Sequence, residues 1–453
     1  MKNIIYILSL LIVMLLNYKA GATHNRGGIL TYLHISGTTY EATITTYTVQ
    51  SSPASTVELE LFWGDGTSDT IPLLSSDLVA DNVLKNIYIK QHTYSSEGTY
   101  LLHVENPNRN AGILNIPNSI NTPFYIESEL ITSAQNPSNN SAQFSAVPIF
   151  NFTANTFNLN SCFYDPDDDV LTYELVSAKG LNGEVVLGYT IPQGVTLDPV
   201  SGELRWENPN QIGSFVFTIK VSECRNGGLV GSVLLDVEYT VNSLQDDVVF
   251  GDLSLWQIDN EGNYFITVEP NDSIGFWLSV TNATELVAFG EAFIAPGNAV
   301  FYAVTLPETE KLFYWQPSTA RCAPYVTVFR GIGDYTKDLT LLIYVREQGM
   351  EYCDTVCNGV LPVKEYETDN SFILYPNPAS EITYLNYYLP YDAHVTIEVF
   401  DLFGKRILLL DNADRQGGNY KVELNTAALS AGTYVCRMIV DEEVITKKLV
   451  VVN

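Results

Sequence analysis

The sequence predicts an all-β protein built of tandem β-sandwich domains, beads on a string, closed by a smaller C-terminal β-sandwich. Three observations carry this. Aromatic residues are abundant, with 28 Tyr and 20 Phe in 453 residues, and aromatic and β-branched side chains suit the pleated, half-buried face of a sheet. Apolar residues alternate with polar ones in short runs broken by Gly, Asn, Asp and Ser, the period of strands and turns. Long runs with helical spacing are nearly absent. A chain of this length is expected to hold three or four domains.

Residues 1–22 read as a signal peptide. Met1-Lys2-Asn3 is a short positive start, Ile4 to Leu16 is apolar apart from Ser9, and Ala20-Gly21-Ala22 is a cleavage signal that leaves Thr23 first. The apolar run is too short to span the bilayer, which takes roughly 20 residues. The mature chain is therefore expected to carry no integral membrane segment. With 23 Lys+Arg against 52 Asp+Glu the formal charge is -29, so phosphate backbones repel it and nucleic acid is excluded as a partner.

The first domain is read over 23–129. Val57 to Trp63 alternates and stops at the turn Gly64-Asp65-Gly66-Thr67, and His92-Thr93-Tyr94 and Gly98-Thr99-Tyr100 follow. This W-G-D-G-T and H-x-Y-x-x-x-G-x-Y pairing resembles the polycystic-kidney-disease-type (PKD-like) β-sandwich, in which the two motifs mark facing strands. The second domain is read over 130–242. Asp165 to Tyr173, then Leu197-Asp198 through Trp206, then Phe215, Phe217, Ile219 and Val221 give a strand, a hairpin turn at Ser201-Gly202 and a buried strand face. These motifs resemble Ig and cadherin-like repeats of bacterial surface proteins.

A second Ig/cadherin-like domain is read over 243–348, with Lys311 to Pro317 in the position of Leu204 to Pro209, which suggests an internal duplication. A loop-rich linker follows at 349–371. Residues 372–453 form the last sandwich. Pro376 and Pro378 around Asn377, after Tyr375, fix the start of the first strand, because proline locks φ and cannot donate to a ladder. Gly404-Lys405 ends one turn, and Gly432-Thr433-Tyr434 launches an alternating strand that includes Cys436 and Met438; Lys448-Leu449 lies near the terminus. This arrangement closely resembles the type A C-terminal sorting domain of the type IX secretion system of Bacteroidetes. The resemblance implies export through the periplasm to the cell surface or medium, with the type IX machinery as partner. The body resembles gliding- and adhesion-associated surface proteins of that group.

Four carboxylates, Asp165, Asp167, Asp168 and Asp169, crowd one loop. Such a loop can supply hard oxygens to Ca²⁺, which takes six to eight; Glu174 or Asp198 could add a ligand. In cadherin-like families such aspartates bridge calcium between domains. No glycine stands at the sixth position, so the loop is not an EF-hand, and an acidic hairpin loop without metal is the alternative. Of the six cysteines, Cys162 and Cys224 flank the second domain and are expected to form a disulfide closing a loop of about sixty residues, worth on the order of 4 kcal/mol. Cys353 and Cys357 are neighbours in the linker and also expected as disulfide cysteines; Cys436 is expected as a buried thiol.

Catalytic signals are thin. The histidines 24, 34, 92, 103 and 394 accompany no G-x-S-x-G and no H-E-x-x-H. The chain is read as no enzyme and without catalytic residues. A surface glycan or protein is the expected ligand, with Trp63, Trp256 and Trp277 as candidates for carbohydrate stacking. Core packing is the competing fate of such rings. The alternative is a secreted enzyme or carbohydrate-active accessory protein whose catalytic site lies in the third domain.

Overall fold

The computed structural model describes residues 25–51, 57–106, 109–133, 136, 138–243, 247–303, 308–347, 372–375, 379–380, 382–389, 392–401, 405–416, 418–427, 429–441 and 443–452. The expected signal peptide, Cys353, Cys357, Pro376, Asn377, Pro378 and Gly404 lie outside them. The architecture is all-β, as the composition predicts: among the described residues the only helical elements are three 3₁₀ turns of three residues each. No helix among the described residues is long and apolar enough to cross a membrane. The chain divides into two compact units, 1–359 and 360–453.

In the larger unit, tandem sandwiches follow one another. Asn25–Ser36 pairs along its length with Thr39–Val49, which pairs in turn with Val83–Thr93. Leu30, Tyr32, Ile44, Leu61, Trp63, Val104 and Ile126 fill the first core. The W-G-D-G-T and H-x-Y segments of this region touch one another directly. The Trp63 indole stacks on His92 at 4.6 Å, its Nε1 donates to Asp69 at 2.9 Å, and Tyr94 Oη donates to the Trp63 carbonyl at 3.0 Å. His92 in turn reaches Asp65 of the turn at 2.8 Å.

The long strand Gly228–Asn242 joins the first two sandwiches. It runs antiparallel to Gly213–Arg225 over almost its whole length. On its other edge it meets Phe124–Thr132 through Gly231 to Val233, and Asn25–Ser36 through Asp236 and Val237. That approach needs glycine at the crossing, since a Cβ on Gly27 would lie 2.6 Å from the Asp236 carbonyl oxygen, while one on Gly28 would lie 2.6 Å from the Thr45 carbonyl oxygen of the strand on the other side. A buried ion pair fixes the junction. Arg109 donates to both Asp236 oxygens, at 2.6 and 2.9 Å, and Thr218 donates to the same carboxylate at 3.0 Å.

Trp206, Phe215, Phe217 and Tyr239 fill the second core. The turn at Ser201-Gly202 is closed by Asp198, whose Oδ1 accepts from the Val200 and Ser201 amides. Gly202 has φ +70°, and a Cβ there would strike the Tyr173 ring at 2.6 Å.

The third sandwich pairs a sheet ordered Val249–Phe250, Ile274–Thr281, Glu310–Trp315, Val300–Tyr302 with a five-stranded sheet centred on Thr336–Val345. Phe276, Phe313, Trp315 and Phe329 lie between them. It is tied to the second sandwich through the hydrogen bonds of a buried ion pair of its own. Arg330 donates to both Asp338 oxygens, at 2.7 and 2.9 Å, and also to the Val147 carbonyl at 2.6 Å. The Asn160 amide then donates to Asp338 at 3.0 Å.

The smaller unit is a sandwich of three and four strands. Phe372, Leu385, Val395, Ile397, Val399, Met438 and Leu449 form its core. Cys436 is a buried free thiol there, as expected, and burial pushes it up to about 12.

Candidate functional site

The acidic loop links the two-residue strand Phe163–Tyr164 to Val170–Val176. It folds around Asp165, whose Oδ1 accepts from the amides of Asp167 at 2.8 Å and Asp169 at 3.2 Å. Asp168 sits in the left-handed region at φ 61°. These turns bring one oxygen each of Asp165, Asp167 and Asp169 within 4.8 Å of one another. Asp168 does not join them. Its side chain is 74% exposed and turns to Arg321 Nη1 at 3.2 Å. The expected four-carboxylate set is thus corrected to three, because alternation along the loop sends Asp168 outward. Glu174 pairs across strands with Lys220, and Asp198 is taken up by Val200, Ser201 and Asn263.

Arg225, which the motif reading missed, supplies the local positive charge. Its Nε and Nη2 each donate to Asp169 at 2.7 Å, and Nη2 also reaches Asp167 at 3.2 Å. Behind it Asn139 donates to Glu223 at 2.7 Å and accepts from Arg225 at 3.0 Å. Burial, reinforced by Asp169, raises the Asp165 carboxyl to about 7; burial, reinforced by Asp165, raises Glu223 to about 8. Asp165 is 5% exposed, and its Oδ2 has no hydrogen-bond partner. Excess negative charge beside a buried, unpartnered oxygen is the environment a hard cation relieves. The residues therefore fit Ca²⁺, with Asp165, Asp167 and Asp169 as the side-chain donors.

A cleft of about 610 Å³ opens beside the loop, lined among others by Tyr164, Asp168, Glu291, Trp315, Arg321 and Tyr325. Arg321 lies 3.5 Å over the Tyr325 ring and bridges Glu291 at 2.6 Å. Burial raises the Glu291 carboxyl, against the pull of Arg321.

The disulfide expectation needs correction. Cys162 is a buried free thiol, so it does not bond Cys224. Its strand end turns toward the third sandwich, where Sγ donates to the Val326 carbonyl at 3.5 Å among Ala146, Val328 and Leu342. Cys224 instead lies on Gly213–Arg225 opposite Val170. Both Cys224 and Cys322 are disulfide-bonded, and nothing in the spacing pointed to Cys322.

The three candidate stacking rings part company. Trp63 and Trp256 are core residues at 0% and 7% exposure, while Trp277 is half exposed at 50%. In the tail, the Asp401 amide donates to the Lys405 carbonyl at 3.0 Å, and Asp401 Oδ1 accepts from the Lys405 amide at 3.0 Å. Gly432 opens the strand Gly432–Val440, and Tyr434 Oη donates to the Ser430 carbonyl at 2.9 Å. Lys448 pairs with Val435 across the last two strands, and Tyr375 with Tyr384 at the first.

Residues 373–452 match the secretion system C-terminal sorting domain family. No curated protein matches the chain. Similar solved structures include a titin fragment of three Ig domains, at 8% identity over 68% of this chain and 97% of that one, with a TM-score of 0.17. Tandem Ig repeats of Dlar align at 8% identity over 45% and 97%, TM-score 0.21. The SGBP-B of the Bacteroides ovatus mixed-linkage glucan utilization locus, in complex with a mixed-linkage heptasaccharide, aligns at 13% identity over 68% and 66%, TM-score 0.17. Scores this low carry nothing about arrangement or ligand. The tail does carry information: it is similar to the type IX sorting domain and marks the chain for export by that system to the cell surface or the extracellular space.

Proposed function

We propose that the chain is a surface protein with an adhesive, binding or structural role and no catalytic one, delivered by its sorting tail. The observation that supports this is the joined body behind the tail. The buried ion pair Arg109–Asp236 joins the first two sandwiches, and the buried pair Arg330–Asp338 within the third bonds to the Val147 carbonyl and the Asn160 amide of the second. Buried pairs of this kind set register and geometry more than net stability, which suits a body that holds a binding face at a fixed angle. Deleting 372–453 is expected to hold the chain in the periplasm, and cells lacking the whole chain are expected to lose adhesion. Surface display of the truncated chain, or unchanged adhesion of the deletion strain, refutes the respective half of the reading.

Calcium belongs to the same proposal, held by Asp165, Asp167 and Asp169. It would replace the partial neutralisation by Arg225 and stiffen the loop whose Asp168 reaches Arg321 of the third sandwich. A second reading, a secreted enzyme or carbohydrate-active accessory protein, is favoured by the cleft in which Asp168 and Glu291 both contact Arg321. Hydrolysis of a polysaccharide by the exported chain, lost in Glu291→Gln, would favour it.

A further inference from the structure

The outer face of the four-stranded sheet of the third sandwich carries three exposed aromatic rings. Trp277 is 50% exposed, Tyr302 47% and Tyr314 44%. The register places them together. Trp277 is opposite Leu312, and Leu312 is opposite Tyr302, so the three form one row across three strands. Tyr314 stands in the next row of the same face, between Gly275 and Val300. With strands about 4.8 Å apart, Trp277 and Tyr302 are roughly 10 Å apart, and Tyr314 lies about 7 Å along the strand from Leu312. Gly275 contributes no side chain, which leaves the face open beside Tyr314.

We infer that this face is a platform for a neutral polysaccharide, its rings stacking on the flat C–H faces of successive pyranoses. The inference deepens the binding role proposed above and rests on it. Two observations choose the occupant. First, the chain bears -29 formal charges, yet among the described residues that alternate outward here only Glu310, at one end, is an Asp, Glu, Lys or Arg. An uncharged ligand with apolar faces and hydroxyl edges matches such a surface, whereas an acidic polymer meets repulsion from the rest of the molecule. Second, at half exposure the three rings with Val300 offer roughly 300–400 Å². That is about half of the ~800 Å² each partner brings to a standard protein interface, too little to seat a second copy but enough for two linked sugar rings. The negative faces of aromatic rings favour C–H edges, which gives the stacking its geometry.

The test uses the purified exported chain in pull-down and affinity electrophoresis against amorphous cellulose, soluble β-glucan, xylan and mannan, with alginate as the acidic control. Binding to at least one neutral polymer and none to alginate is expected. Trp277→Ala should lower the affinity about tenfold or more, and Trp277→Phe should keep most of it. Because Trp277 is exposed, circular dichroism of Trp277→Ala should match the parent, and Tyr302→Ala provides an independent variant on the edge strand. Absence of binding to all four polymers, equal binding by Trp277→Ala and Tyr302→Ala, or a dimer that Trp277→Ala disperses would overturn the inference. Adhesion lost in the deletion strain but retained by cells carrying Trp277→Ala would overturn the platform while leaving the wider binding role in place.

Discussion

Replacing Arg109 with leucine removes the guanidinium that neutralises Asp236 and leaves that carboxylate, 1% exposed, with Thr218 as its remaining donor. Two charged hydrogen bonds of 2.6 and 2.9 Å disappear, along with the bond from Arg109 to the Lys179 carbonyl. Stripping one partner from a fully buried ion pair costs about 3–5 kcal/mol, because the other charge stays desolvated. Residues 25–242 form a body for which 1 kcal/mol moves Tm by about 2–4 °C, so a fall of roughly 10 °C is expected. The assay is thermal unfolding of the exported chain, with hydrogen exchange followed separately in Glu58–Phe62 and Gly213–Arg225. Both strands should lose protection together, since Arg109 and Asp236 belong to different sandwiches by sequence. The double variant Arg109→Leu/Asp236→Leu should recover part of the loss. A shift below about 1 kcal/mol, or loss of protection in the first sandwich alone, would show that the pair does not join the two.

Three further outcomes are expected. Millimolar calcium should raise the melting temperature through mass action on the folded chain, and Asp167→Ala should abolish the rise; identical curves in calcium and in chelator would leave the loop an acidic turn. Non-reducing peptide mapping should find Cys162 and Cys436 as thiols that alkylate only after unfolding, with Cys224 and Cys322 oxidised; a Cys162–Cys224 peptide would refute the assignment. Arg437 and Arg406 hold the Glu398 carboxyl below its ordinary range. That stabilisation is present above the unfolded-state carboxyl pKa and is lost as pH falls through the lower folded value, so the sorting domain should weaken in acid. Glu398→Gln should cost about 1 kcal/mol at neutral pH, since both arginines are solvent-screened, and a pH profile unchanged by the substitution would contradict this.

The sequence made the strands readable where alternation and turn chemistry agree. Val57 to Trp63 ends at a Gly-Asp-Gly turn, and Phe215 to Val221 presents one apolar face; both stand as strands. The sorting tail was readable for the same reason, with short motifs at fixed turns. What spacing hides is which partner a strand finds. Cys162 looked poised for Cys224, but its strand end packs on Val326 and Leu342 of the next sandwich. Arg225 carries no motif, yet it neutralises the acidic loop from the end of a neighbouring strand. Trp256 and Trp277 look alike in sequence. The pairing of Ile274–Thr281 with Glu310–Trp315 turns Trp277 to water, whereas Trp256, just before Gln257–Ile258, packs inward on Tyr264, Phe276 and Phe329.

The shared strand Gly228–Asn242 also sets the order in which the molecule can fold. Arg26 and Thr240, which bond at 2.9 Å, are 214 residues apart, so the first sheet cannot close until the second sandwich has been delivered. Contacts this distant in sequence fold slowly, because the loop must close before any pairing rewards it. Meanwhile Asn25–Ser36 and Phe124–Thr132 wait with open edges, the usual template for pairing with a neighbouring chain. A secreted chain meets that hazard while crossing one compartment on the way to another. The surplus of carboxylates, which gives -29 overall, works here as mutual repulsion between half-folded molecules, keeping each strand available for its own late-arriving partner.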